Sequence, residues 1–179
     1  MANSYLFLLN QIKTFIFDVD GVMTDGKIII TASGDQQRIM NIKDGFALQF
    51  AVKQGYKIAI ISGGKSEAIR DRFTKLGIHD VYLGVADKIE TYKELCLTYN
   101  IKDEEVLYMG DDIPDYEVMT VVGLPACPKN STEEIKKIST YISPYNGGDG
   151  CVRDVLEQVL KAQNKWFDPS KINDKDFTW

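Results

Sequence analysis

Short apolar runs alternate along the chain with longer segments in which apolar residues recur every three or four positions. The runs at 12–18, 56–62, 81–84 and 105–110 are four to seven residues long and rich in β-branched and aromatic side chains. Their length and composition predict buried β-strands. A further stretch, 27–42, has β-branched residues on both sides of Ser33-Gly34-Asp35, which predicts a β-hairpin.

The remaining patterned segments have the spacing of amphipathic helices. Asp44 is positioned to cap the first of them, Gly55 follows its end, and Pro114 lies in the first turn of a later one. Ser131 and Glu134 have the spacing of a capping box. The predicted helices cover 44–55, 65–77, 87–100, 113–123, 131–139 and 150–163.

This alternation of strands and helices predicts an α/β fold with a doubly wound parallel sheet. The chain has 179 residues, which favours one domain over two. We therefore expect a single domain over 1–163, from which a hairpin at about 24–42 projects. The polar C-terminal tail, 164–179, contains four aromatic residues that we expect to pack on the domain or on a neighbour: Trp166, Phe167, Phe177 and Trp179.

Composition excludes several classes of protein. The net charge of −5 argues against nucleic acid as a partner, and no apolar run is long enough to span a bilayer. The N-terminus lacks the basic segment and the cleavage site of a signal peptide. Cys96, Cys127 and Cys151 are scattered, as expected for reduced thiols of a cytoplasmic protein. His79 is the only histidine, so a histidine-based triad or zinc site is excluded.

Polar residues with chemical potential follow the predicted strands. In parallel sheets, ligands collect at the carboxyl ends of the strands, so these residues are expected to meet at one edge. Lys88 begins the helix that follows the 81–84 strand. The residues that follow the other strands are Asp18 and Asp20, then Ser62, then Asp111 and Asp112.

This set suits phosphoryl transfer. Asp18 and Asp20 are two residues apart, so in extended chain both carboxylates point to the same side. One can attack phosphorus and the other can donate a proton. Ser62, the backbone N–H groups near Gly63 and Gly64, and Lys88 can donate to phosphoryl oxygens. Carboxylates together with phosphate oxygens are ligands that suit Mg²⁺.

The order of these motifs resembles the haloacid dehalogenase superfamily. "DVDGVMTDG" resembles its first motif, Ser62 its second, Lys88 its third and "GDDIPD" its fourth. The resemblance implies that Asp18 is the nucleophile and that Asp20 is the general acid/base, with its backbone carbonyl on the metal. It also implies that Asp111 is the third protein ligand of Mg²⁺. By the same resemblance, Asp112 and Asp115 orient the metal's surroundings, while Ser62 and Lys88 hold the phosphoryl group.

Caps in this superfamily are inserted between the first three motifs. Here only a hairpin and one helix separate Asp18 from Ser62, and one helix–strand unit separates Ser62 from Lys88. We therefore expect no cap domain. An uncapped site is open to water, which requires either a large substrate or a lid from a neighbouring subunit.

A narrower resemblance is to the 3-deoxy-D-manno-octulosonate 8-phosphate phosphatases. It rests on "TDGKIII", "MNIKDGFALQF", "YMGDDIPDYEVM", "NGGDGCVRDV" and "KAQNKW". It implies hydrolysis of an eight-carbon sugar-acid phosphate in lipopolysaccharide precursor synthesis, by a homotetramer whose hairpins and tails cover neighbouring sites. The implied substrate contacts are Asn41, Lys43, Asp44, Gly45, Gly63, Gly64, Lys65 and Arg72.

Two positions depart from that family, which often has arginine where this chain has Gln49 and Gly64. Neither residue can grip a carboxylate with a bidentate fork, and Lys65 offers only a point charge. A nine-carbon 2-keto-3-deoxy-nononate 9-phosphate therefore stays open as the substrate. Two other readings are a phospho-receiver domain, in which the carboxylate pair precedes the acceptor aspartate, and a non-catalytic scaffold.

Overall fold

The structure is a computed structural model that describes residues 2–171. Six strands in this range form one parallel sheet, in the order β5–β4–β1–β6–β7–β8, and two more form a separate antiparallel pair. The strands are β1 (Thr14–Phe17), β2 (Ile29–Ile30), β3 (Gln36–Gln37), β4 (Lys57–Ser62), β5 (Asp80–Leu83), β6 (Val106–Met109), β7 (Leu124–Cys127) and β8 (Tyr141–Ile142).

Helices cover both faces of the sheet, so the predicted doubly wound α/β fold is confirmed. On one face, Leu48, Phe73 and Val155 are buried against the sheet, and on the other Tyr92 and Ile135 are buried. The helices are α1 (Ala2–Gln11), α2 (Ile42–Lys53), α3 (Glu67–Lys75), α4 (Lys88–Tyr99), α5 (Tyr116–Val121), α6 (Glu133–Ile138) and α7 (Cys151–Ala162). Short 3₁₀ turns lie at Asp103–Glu105, Ile113–Asp115 and Pro169–Lys171.

Three elements were not predicted. The apolar patch near the N-terminus forms α1, which packs on α7. The strands β7 and β8 are short, four and two residues. Proline is disfavoured inside a central strand, and Pro125 lies in β7 between two neighbours, so its sequence did not indicate a strand.

Two predicted helix caps were wrong. The first residue of α2 is Ile42, and its cap is Asn41, whose side chain accepts a hydrogen bond from the backbone N–H of Lys43 at 2.8 Å. Asp44 lies inside the first turn instead. Ser131 donates to the carbonyl of Pro128 at 2.9 Å rather than capping α6, whose cap residue is Thr132. Asp44 instead accepts a hydrogen bond from the distant N–H of Arg153, a contact that no local pattern indicates.

The predicted hairpin forms from β2 and β3. Ile29 pairs with Gln37 and Ile30 with Gln36. Gly34 turns the chain with a φ of +86°, a left-handed conformation that suits glycine. Both strands are exposed, so the hairpin projects from the domain.

The segments between the motifs are as short as the sequence indicates. The hairpin and α2 separate β1 from β4, while α3 and β5 separate β4 from α4. Within residues 2–171 there is accordingly no cap domain, and no helix in that range is long and apolar enough to cross a membrane. In the tail, the Trp166 ring packs edge-on against Phe50 at 5.1 Å. The predicted packing of Phe177 and Trp179 lies outside the described residues.

Candidate active site

The sheet brings the predicted residues to one edge. The strand β1 lies between β4 and β6, and the carboxyl ends of all three align, with Phe17 in register with Ile60 and Met109. Asp18 follows β1, Ser62 ends β4, and Asp111 comes two residues after β6. Because the three strands are parallel, their polar ends share one edge. This is the arrangement that the sequence predicted.

A cavity of about 770 Å³ opens at this edge. Lys88 reaches it from the first turn of α4, whose N-terminus is capped by the Asp87 side chain. The floor and walls include nine of the predicted site residues: Asp18, Asp20, Ser62, Gly63, Gly64, Lys88, Asp111, Asp112 and Asp115.

Lys88 connects two buried carboxylates. Its Nζ lies 2.9 Å from Oδ1 of Asp18 and 2.7 Å from Oδ1 of Asp115. All three side chains are at most 8% exposed. Removing such charges from water is costly unless they are paired, so these ion pairs hold the three groups together.

Asp115, to which the resemblance assigns an orienting role, is held through both of its carboxylate oxygens. Its Oδ1 also accepts a hydrogen bond from the Tyr108 hydroxyl at 2.6 Å, and its Oδ2 accepts from the backbone N–H groups of Asp111 and Asp112 at 3.1 and 3.5 Å. These donors and Lys88 occupy both oxygens. Asp115 therefore orients Lys88 and the "GDD" loop.

The role of Tyr108 was not predicted from the sequence. This residue lies in β6 within "VLYMG", where the apolar pattern indicates a core residue, and it is fully buried. Burial raises the pKa of its hydroxyl well above the ordinary value, so the group stays a neutral donor. The signal that could have found it is a polar aromatic residue inside an otherwise apolar strand, since a buried hydroxyl needs a partner.

The cluster carries unbalanced negative charge. Burial, then repulsion from Asp115, raises the pKa of Asp18 to about 6, although Lys88 opposes the shift. Burial, then repulsion from Asp18 and Asp115, raises the pKa of Asp111 to about 7. Burial alone would lower the pKa of Lys88, but its carboxylate neighbours outweigh that effect and raise it. One lysine is thus insufficient for these carboxylates.

This charge fits a divalent cation. One oxygen each from Asp18, Asp111 and Asp115 lie within 4.8 Å of one another. Both oxygens of Asp115 already accept hydrogen bonds, which leaves Asp18 and Asp111 as the carboxylates available to a metal. Oxygen donors of this kind suit Mg²⁺, which usually takes only one or two carboxylates from a protein.

Gly21 makes room for Asp111. Its φ is +90°, and a Cβ built on it would lie 2.0 Å from Oδ2 of Asp111. Only glycine satisfies both the backbone conformation and the close approach at this position. The glycine of the first motif therefore shapes the carboxylate cluster.

Ser62 presents a hydrogen-bond donor for the phosphoryl group. It is buried, and its Oγ accepts a hydrogen bond from the N–H of Gly64 at 3.2 Å, which leaves its own proton available.

Asp20 is paired with the hairpin, although it lines the same cavity as the carboxylate cluster. Both of its oxygens accept hydrogen bonds from Arg38, from Nε at 2.6 Å and from Nη2 at 3.0 Å. The Asp20 carboxylate is not part of the cluster formed by Asp18, Asp111 and Asp115. This agrees with a metal contact through the Asp20 backbone carbonyl alone. Arg38 was missed because it directly follows a polar hairpin strand, where an arginine is typical of the exposed surface.

The other predicted substrate contacts do not reach the main cavity within one chain. Asn41 and Lys43 line a second cavity of about 440 Å³, and Arg72 lines a third of similar volume. Asp44 is buried and accepts a hydrogen bond from the N–H of Arg153 in α7 at 2.8 Å. The last two predicted substrate contacts outside the main cavity are Gly45, which lies against the Arg72 side chain, and Lys65, which is exposed beside Gly84. Their role as substrate contacts stays a prediction.

Comparisons with known proteins agree with this geometry. The haloacid dehalogenase-like hydrolase family matches residues 74–155. A 3-deoxy-D-manno-octulosonate 8-phosphate phosphatase from Yersinia pestis is 36% identical over 155 residues, which cover 87% of this chain and 83% of the relative. The chain belongs to the family of 3-deoxy-D-manno-octulosonate 8-phosphate phosphatases. The superfamily predicted from the four motifs is confirmed.

Solved structures of this family have the same fold. The crystal structure of the Yersinia pestis phosphatase superposes with a TM-score of 0.89 at 34% identity, over 91% of this chain and 88% of that one. The Moraxella catarrhalis phosphatase, solved with a magnesium ion, a phosphate ion and a KDO molecule, gives a TM-score of 0.88 at 34% identity, over 92% and 94%.

Proposed function

We propose that this protein is a Mg²⁺-dependent phosphatase that hydrolyses 3-deoxy-D-manno-octulosonate 8-phosphate to the free sugar acid and phosphate, in lipopolysaccharide precursor synthesis. The observation that carries the proposal is the buried Asp18–Lys88 pair beside Asp111, at the carboxyl ends of the central strands. A relative of the same fold, with a TM-score of 0.88, binds magnesium, phosphate and KDO.

In the first half-reaction, a carboxylate oxygen of Asp18 attacks phosphorus. A bond between that oxygen and phosphorus forms while the bond between phosphorus and the sugar oxygen breaks. Asp20 gives its proton to the departing sugar oxygen. Lys88 and the Ser62 hydroxyl hold the phosphoryl oxygens, so that the group stays in line with the attacking carboxylate.

In the second half-reaction, Asp20 takes a proton from water as the water oxygen attacks phosphorus. The acyl-phosphate bond breaks, inorganic phosphate leaves, and the Asp18 carboxylate is restored. Magnesium, when bound by Asp18, Asp111 and the Asp20 carbonyl, offsets the negative charge that builds up on the phosphoryl oxygens. Asp112 and Asp115 keep the fourth-motif loop in position around that site.

Phosphate release from a panel of substrates tests the proposal. The panel contains the eight-carbon and nine-carbon 2-keto-3-deoxy acid phosphates and a neutral hexose phosphate, each with Mg²⁺ and with a chelator. We expect the eight-carbon substrate to have the highest kcat/KM, and activity to require the metal. A preference for the hexose phosphate would overturn the substrate class, and a preference for the nine-carbon acid would reassign the substrate.

The Asp18→Asn variant tests the covalent step. The amide cannot attack phosphorus, so turnover is expected to be abolished while thermal unfolding stays cooperative. Substantial activity in this variant would refute the mechanism. A stable phosphoprotein after acetyl phosphate treatment of the wild type, without turnover, would support the receiver-domain alternative instead.

We further propose a homotetramer in which neighbouring hairpins cover the open site. The hairpin exposes large apolar side chains at Ile28, Ile29 and Ile30, which are 43%, 52% and 73% exposed in the single chain. Clustered exposed apolar residues are typical of interaction surfaces. Light scattering should give four chains for the wild type and fewer for Ile30→Asp, whereas an active wild-type monomer would contradict the proposal.

We also propose a cytoplasmic location, which the free cysteines support because thiols stay reduced in that compartment.

A further inference from the structure

Arg38 connects the projecting hairpin to the active site. It follows β3 directly, and the strand itself is exposed, yet the Arg38 side chain is only 4% exposed. The guanidinium turns inward, and its Nε and Nη2 donate to Oδ1 and Oδ2 of Asp20. A bidentate pair of this kind fixes both the distance and the plane of the carboxylate.

The chain leaves space for this contact at Gly64. A Cβ built on Gly64 would lie 3.0 Å from Oδ2 of Asp20 and 3.1 Å from Nη2 of Arg38. Either distance is shorter than an ordinary carbon contact, so a side chain at position 64 would press on the ion pair. The absence of a side chain at Gly64 therefore leaves the space that the inward Arg38 side chain occupies.

We propose that Arg38 is a positioning residue of the phosphatase, which holds the carboxyl group of Asp20 in place for proton transfer to the leaving oxygen. This inference rests on the proposed function. While Asp20 carries the proton, its O–H oxygen faces the leaving oxygen and its other oxygen accepts from the guanidinium; once the proton has been given up, both oxygens accept from Arg38. The same contact ties the hairpin to the reacting groups, so the position of the hairpin controls the alignment of Asp20.

The geometry favours this role over direct binding of the substrate. Both donor groups that face the site are already engaged by Asp20, and Nη1 lies 3.5 Å from the carbonyl of Gln36. Within the described residues, Arg38 has no side-chain ion pair other than that with Asp20. Its action on the substrate therefore passes through Asp20.

Leaving groups of different kinds separate the possible roles. Three substrates are compared by kcat/KM in Mg²⁺: the sugar-acid phosphate, a neutral hexose phosphate and p-nitrophenyl phosphate. The first two release an alkoxide that needs a proton, whereas nitrophenolate leaves without one. The value of kcat/KM reports on the step in which the leaving group departs.

The Arg38→Gln variant is expected to lose about 10- to 100-fold in kcat/KM on both alkyl phosphates, since a misplaced catalytic group costs that much. On p-nitrophenyl phosphate it should remain within about threefold of the wild type, because only correct proton donation, a contribution of roughly 10²–10⁴-fold, is impaired. Arg38→Lys keeps the charge but only one contact, so it should lie between Arg38→Gln and the wild type.

Lys93→Met is the matched control. It also removes one positive charge, but Lys93 lies on α4 outside the hairpin and the cavity, is 57% exposed, and within the described residues forms an ion pair with Glu90 alone. Its kcat/KM should equal that of the wild type for all three substrates. Amide hydrogen exchange gives a second readout: residues 28–38 should exchange faster in Arg38→Gln than in the control.

Three outcomes would overturn the inference. A loss confined to the sugar-acid phosphate would make Arg38 a contact for the substrate carboxylate. An equal loss on all three substrates would indicate a structural role, and no loss on either alkyl phosphate would show that Asp20 does not depend on Arg38. Absence of phosphatase activity in the wild type would refute the proposed function, and this inference with it.

Discussion

Lys88 offers the sharpest test of the carboxylate cluster. The Lys88→Met variant keeps most of the side-chain volume but removes the cation that separates Asp18 from Asp115, at 2.9 and 2.7 Å. Both carboxylates are almost fully buried, so water cannot take the place of the ammonium group. We expect a metal-free variant that is markedly less stable and catalytically inactive.

The size of the effect follows from burial. Breaking a buried ion pair by removing one partner costs about 3–5 kcal/mol. For a chain of this length, 1 kcal/mol shifts the melting temperature by roughly 2–4 °C. The Lys88→Met variant should therefore melt about 6–20 °C below the wild type in a chelator. Protonation of Asp18, whose pKa is already raised to about 6, would relieve part of this cost below neutral pH.

Mg²⁺ should reverse much of the loss. A ligand that binds only the folded state adds about 2.7 kcal/mol of stability at one hundred times its Kd. Without Lys88 the negative charge around Mg²⁺ is larger, so the affinity of the site for Mg²⁺ should rise. Adding Mg²⁺ should therefore increase the melting temperature of Lys88→Met more than that of the wild type. Turnover should stay abolished, because the metal does not replace the Lys88 ammonium group as a hydrogen-bond donor to the phosphoryl oxygens.

The assay is thermal unfolding at neutral pH, with a chelator and with saturating Mg²⁺. Lys136→Met is the matched control, since it removes a lysine whose partner Glu133 is 76% exposed, a surface pair worth roughly 0–1 kcal/mol. Equal melting temperatures for Lys88→Met and the wild type in the chelator would refute the reasoning about buried charge. Equal shifts with Mg²⁺ would refute the placement of the metal beside Lys88.

Three further predictions concern the same cluster. Gly21→Ala should abolish Mg²⁺-dependent activity and metal stabilisation, measured by phosphate release and melting, because its Cβ would collide with Asp111. Tyr108→Phe should lower the free energy of unfolding by about 1–3 kcal/mol in urea titrations, because Asp115 loses a buried donor. In a chelator, the raised pKa values of about 6 for Asp18 and about 7 for Asp111 mean that the folded state binds protons more tightly than the unfolded state. Stability should therefore fall as pH rises from 5 to 8, by on the order of 4 kcal/mol for the two groups together, and Mg²⁺ should flatten this dependence; a rise in stability with pH would contradict the assignment.

Local patterns predicted most of the fold because each depends on a few neighbouring residues. The apolar run before Asp18 predicted β1, and Gly55 marked the end of α2. Such patterns failed where tertiary contacts decided the structure. The strand β7 contains Pro125, and it forms because β6 and β8 pair with it on either side.

The candidate site divides along the same line. The residue types and their order after the strands were sufficient to predict that Asp18, Ser62, Lys88 and Asp111 would meet, because parallel strands bring their carboxyl ends to one edge of a sheet. The contact of Arg38 with Asp20 spans 18 positions and depends on how the hairpin folds back over the site. Only the tertiary structure decides such a contact, because the direction of a long side chain depends on the space around it, and that space is formed by residues distant in the chain, here Gly64.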